Sequence, residues 1–115
     1  MDIVTCTNML ADAVRNCDLS SEYARLQKIV LSDDTNRALL KEYKRLQWGL
    51  QMQTIYGNQA SHEEMSRFSQ LSTLLYMNSD VQAYLLIEMK LQKMLADVIK
   101  QITDAAGVQL DLPAI

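Results

Sequence analysis

The side chains able to do chemistry are few and widely scattered. His62 is the sole histidine, and it stands in Ser61-His62-Glu63-Glu64 with no second His or Cys at metal-ligand spacing. A general base needs a positioned partner, so an exposed helix-start residue is the favoured reading. Cys6 and Cys17 are the two thiols. They are too few for a disulfide framework, a four-thiolate zinc site or an iron–sulfur cluster held by one chain. On a single helix, eleven residues would separate them by roughly 16 Å, beyond the ~7 Å limit for a disulfide. The sequence contains no Gly-x-Ser-x-Gly elbow, no glycine-rich phosphate loop before a lysine and no dinucleotide fingerprint. The carboxylate pairs Asp33-Asp34 and Glu63-Glu64 fall at helix starts, where the helix dipole alone explains them. The expectation is a protein with no catalytic residue, no metal and no cofactor, acting by binding.

One group suits binding. Arg37, Lys41, Lys44 and Trp48 lie at offsets of zero, four, seven and eleven, with Arg45 beside them, on the side of a helix opposite its apolar stripe. Such a face could contact RNA phosphates while Trp48 stacks on a base. With a net charge of −3 and a pI near 5.0, the plainer reading is favoured: a solvated face with Trp48 tucked against a neighbouring helix. Glu88 falls in an apolar stripe, and a buried carboxylate costs several kcal/mol, on the order of a lost ion pair, unless it finds a partner. The seven methionines suit adaptable packing.

The elements that must position these residues are helices. Three Gly, one Pro, one Phe and one Trp, against plentiful Leu, Met, Ala, Gln, Glu and Lys, favour helix and starve turns and sheets. From Asp2 to Cys17 the apolar residues Cys6, Met9, Leu10, Ala13 and Val14 recur at spacings of three and four. Asp18-Leu19-Ser20-Ser21 offers caps for a restart into Tyr23, Leu26, Ile29 and Val30. Ser32-Asp33-Asp34 caps a long helix from Thr35 to about Tyr56, with Leu39, Tyr43, Leu46 and Leu50 on one stripe. Gly57-Asn58 ends it, and Ser61 with Glu64 has the form of a capping box opening a fourth helix through Met65, Phe68, Leu71, Ser72 and Leu75. Asn78 caps a last helix, about Ser79 to Ala106, closed by Gly107. The expected architecture is all-α: a single-domain antiparallel bundle of about five helices over 1–107, with 108–115 as a C-terminal tail. The absence of a signal-like start and of an apolar run long enough to span a bilayer predicts a soluble, cytoplasmic chain with no membrane insertion.

A family resemblance rests on Ala11, Ser21-Glu22-Tyr23, Asp34 followed by Leu39, Tyr43 and Gln47, Gly57, and Leu75-x-x-Asn78-x-x-Val81-x-x-Tyr84. Over about residues 2 to 106 the chain resembles the YlbF/YmcA group of small helical regulators of Gram-positive bacteria. The resemblance implies a self-associating, non-enzymatic adaptor acting through protein–protein contacts, with other proteins, family paralogues among them, as partners. It also implies a link to complexes that control mRNA processing, competence, sporulation and biofilm formation. Some members supply C-terminal cysteines to shared iron–sulfur clusters; this chain ends Leu110-Asp111-Leu112-Pro113-Ala114-Ile115, so cluster ligation is not carried over.

Self-association is also expected from the last helix itself. From Tyr84 to Met89 five of six residues are apolar, more than one stripe can use, so Leu85, Leu86 and Met89 are the expected contact of a homodimer or small even-numbered oligomer. An RNA-contacting accessory using Arg37, Lys41, Lys44, Arg45 and Trp48 is the alternative function.

Overall fold

The structure is a computed structural model that describes residues 1–57, 59 and 61–108; Asn58 of the expected turn and the tail beyond Val108 lie outside the described residues. Five helices follow one another: α1 (Ile3–Asn16), α2 (Asp18–Leu31), α3 (Asp34–Ile55), α4 (His62–Tyr76) and α5 (Ser79–Ala106).

Most boundaries are written in short polar side chains. Asp2 accepts the Thr5 N–H at 2.7 Å, Asp33 accepts that of Asn36 at 3.0 Å, and Asn78 accepts those of Asp80 and Val81 at 3.0 and 3.2 Å. Ser61 accepts the Glu64 N–H at 3.1 Å, which is half of the expected capping box; in place of the reciprocal half, the Glu64 carboxylate accepts from Gln53 Nε2 of α3 at 3.1 Å. At the far end of α5, Gly107 takes φ 73°, and the N–H groups of Gly107 and Val108 return to the carbonyls of Asp104 and Thr103. This pair of bonds is a Schellman closure, and the left-handed turn it needs favours glycine. The α1–α2 break differs from expectation. Cys17 alone, in extended conformation, separates the two helices without a side-chain cap, and Asp18 is already the first residue of α2.

The core sits where α2, α3 and α4 meet the first half of α5. Leu26 and Val30 of α2, Leu40 and Tyr43 of α3, Leu75 of α4, and Val81, Tyr84 and Leu85 of α5 form one buried cluster. Tyr43 stacks on Phe68 with ring centroids 5.0 Å apart, and Tyr23 stacks on Tyr84 at 5.2 Å. α2 makes the most extensive contact with α5, and α3 with α4.

α2 has 14 residues and α5 has 28. At 1.5 Å per residue, α2 can cover only about 21 Å of a helix about 42 Å long. The second half of α5 therefore projects past its cover, and α1 packs mainly on α2. The result is a slab of 51 × 37 × 16 Å with a radius of gyration of 17.2 Å, against about 13 Å for a compact domain of this length.

Candidate interaction surfaces

Glu88 finds its partner inside the chain. Lys44 Nζ lies 2.6 Å from both of its carboxylate oxygens, and the Tyr23 hydroxyl donates to Oε2 at 3.1 Å. The Tyr23 proton is thereby used, so the Tyr84 hydroxyl, 3.1 Å away, donates to Tyr23. Lys44 also sits 5.9 Å above the Tyr84 ring. Burial, then the Tyr84 hydrogen bond and the Glu88 charge, push the Tyr23 phenol well above its ordinary pKa, so it stays a donor. This junction ties α2, α3 and α5 together, and it removes Lys44 from the face on which the sequence placed it.

The other cations of that face are differently placed. Arg37 pairs with Asp34 at 2.5 Å, and Arg45 pairs with Glu42 at 2.7 Å. Arg67 of α4 reaches the same Glu42 at 3.0 Å. The Arg45 guanidinium, with Arg67 adding its charge, holds the Glu42 carboxyl below the usual carboxylate range. Lys41 alone of the basic group has no ion pair among the described residues. Trp48 is not tucked against a neighbour: it is 61% exposed, and Ile55 and Tyr56 continue the exposed apolar surface to the end of α3. Three of the four cations thus have carboxylate partners, while the aromatic residue faces solvent.

Beside this face, a recess of about 400 Å³ lies between the second half of α3 and the start of α4, lined by Arg45, Gly49, Gln53, Glu63, Glu64 and Arg67 among others. Gln53 Oε1 is buried there without a partner among the described residues. His62 is exposed at the first position of α4. Cys6 and Cys17 are free thiols; Cys6 is exposed, and Cys17 is half-buried with its sulfur 3.3 Å from the Ser20 hydroxyl, whose hydrogen bond lowers the thiol pKa. No cluster of three or more His, Cys, Asp or Glu able to hold a metal occurs among the described residues.

The expected oligomer contact requires a correction. Leu85 is 5% exposed and belongs to the chain's own core, so it is not available to a second copy. Leu86 and Met89 are exposed, but they share their side of α5 with Gln82, Lys93, Lys100 and Asp104, at helical spacings that place charge on both flanks.

A larger apolar surface lies elsewhere. α1 buries none of its residues, leaving Ile3, Cys6, Met9 and Leu10 exposed. On α5 the stripe that is buried at Tyr84 and Leu85 continues through Leu95, Ile99 and Ile102, all exposed. The sequence shows both stripes but not that the chain leaves them uncovered. The signal that could have revealed it is the mismatch between the lengths of α2 and α5.

The chain is thus a helical slab with apolar faces turned to solvent. A family model described as control of competence regulator ComK, YlbF/YmcA, matches residues 3–105, and the chain belongs to that family. Its relatives include a UPF0342 protein of Halothermothrix orenii, 25% identical over 100 residues, covering 87% of this chain and 85% of the relative. Another is a UPF0342 protein of Clostridium tetani, 23% identical over 110 residues, covering 96% of this chain and 95% of the relative. The fold is shared with a solved structure titled protein of unknown function (DUF964) from Bacillus stearothermophilus, with a TM-score of 0.74 at 15% identity, covering 91% and 92% of the two chains. Among the described residues no helix is long and apolar enough to cross a membrane.

Proposed function

We propose that this protein is a non-enzymatic regulatory adaptor that self-associates and docks other proteins, family paralogues among them, in the control of competence, with mRNA processing, sporulation and biofilm formation as the connected outputs. The observation that carries the docking reading is the outer face of α3. There Trp48, Ile55 and Tyr56 are exposed together, while Arg37, Lys44 and Arg45 have carboxylate partners from their own chain. Interface anchors are typically aromatic, and an exposed Trp beside neutralised cations suits an apolar protein contact better than a phosphate backbone. RNA binding through Lys41 and Trp48 is the competing outcome.

The test is affinity capture from the native cell with the wild type and with Trp48→Ala/Ile55→Ser. The wild type should retain a defined set of proteins that the double variant loses, with unchanged helical circular dichroism. Retention of the same proteins by the variant, together with RNA binding that weakens steeply with salt, would favour the accessory RNA role instead.

A further inference from the structure

The apolar stripe of α1 and the uncovered half of α5 point to one occupant. We propose that both are covered by a second copy of this chain, with α1 of each protomer lying along the C-terminal half of α5 of the other. The proposal rests on the self-association reading above and assigns its surface, which is not the one centred on Leu86 and Met89.

Length is the first argument. α5 outruns α2 by 14 residues, and α1 is 14 residues long, so one α1 fits the uncovered stretch from end to end. Area is the second. Ile3, Met9 and Leu10 on α1, with Leu95, Ile99 and Ile102 on α5, expose between 38 and 85% of their surfaces. That leaves on the order of 600 Å² of apolar surface per chain, divided between the two stripes. Two copies would together bury about 1,200 Å², which reaches the range of stable interfaces.

Charge is the third argument. The ion pairs Asp12–Arg15 of α1 and Lys93–Asp97 and Lys100–Asp104 of α5 lie, by helical spacing, on the sides of their helices turned away from the two stripes. Neither stripe therefore carries a charged pair of its own, so neither asks for a strongly charged partner and each suits the other. A contact of α1 with α5 repeated about a two-fold axis is closed, and it leaves neither stripe uncovered.

Cys6, exposed on α1, is a native reporter. Two single-cysteine proteins are mixed: Cys17→Ser, which keeps Cys6, and Cys6→Ser/Cys17→Ser carrying Cys in turn at Leu95, Ile99 or Ile102. Oxidation with copper phenanthroline should join the two chains as a mixed disulfide at one of these positions. Leu10→Glu/Ile99→Glu should halve the light-scattering mass and keep helical dichroism, whereas Leu86→Glu/Met89→Lys should leave the mass unchanged. Cross-linking only between two Cys6 residues, or an assembly that survives Leu10→Glu/Ile99→Glu but is split by Leu86→Glu/Met89→Lys, would overturn this interface while self-association stands. A wild type that is monomeric at micromolar concentration would overturn self-association itself, leaving the Trp48 capture to test docking separately.

Discussion

The two halves of α5 have almost the same sequence character and very different surroundings. In the first half, Val81, Tyr84 and Leu85 are buried against α2, α3 and α4. In the second, Leu95, Ile99 and Ile102 continue the same stripe into solvent, and α1, which packs mainly on α2, is the only one of the five helices with no buried residue. An apolar stripe therefore does not by itself say which part of a helix face its own chain covers. The covered half supplies the stability of the chain, and the uncovered half is the surface on which the proposed contact with a second copy rests.

The contrast is broken most directly in the core. Leu75 is 1% exposed and packs on the α5 stripe, so Leu75→Ala should cost about 2–5 kcal/mol in denaturant titration. That loss should be the same at every protein concentration. Leu10→Ala on α1, whose side chain is 39% exposed, should cost less than Leu75→Ala in the isolated chain and should lose further only where the protein is concentrated enough to associate. A large, concentration-independent loss at Leu10 would mean that α1 belongs to the protomer core after all.

The polar junction gives a smaller effect. Lys44→Met should destabilise by about 1–2 kcal/mol, because Glu88 would remain mostly buried with only the Tyr23 hydroxyl as a partner. Lys44→Met/Glu88→Gln should recover much of that loss, since Gln is neutral and can still accept from Tyr23. Chemical denaturation of the two variants checks this; equal losses would show that the ion pair does not hold α3 to α5.

Smallest is a gain. Gly49 lies inside α3, and among the described residues nothing stands within 4 Å of where a Cβ would be, so Gly49→Ala should stabilise by about 0.5–1 kcal/mol through helix propensity. An unchanged midpoint would indicate that α3 is ordered by its contacts alone.

Much of this layout is legible in the residues. Asp33, Ser61, Asn78 and Gly107 mark helix ends by local chemistry, and local chemistry is what a sequence carries. Glu88 in an apolar stripe signals a missing partner, but that partner is 44 residues away and is set by how α3 crosses α5. The same long-range geometry takes Lys44 from the basic face and Leu85 from the expected interface. Trp48 reads either way in sequence because an exposed and a tucked indole have the same spacing. The Cys17 break shows the opposite limit: one extended residue separates α1 from α2 without any of the expected capping side chains.

The claim that the free half of the slab is completed by a second protomer is tested most directly by hydrogen exchange followed as a function of protein concentration. Amides of α1 and of the last turns of α5 should be strongly protected at high concentration and lose that protection on dilution through the dissociation range, while α2 and the first half of α5 keep theirs throughout. Protection of α1 that is identical at all concentrations, or absent in the assembled protein, would contradict it.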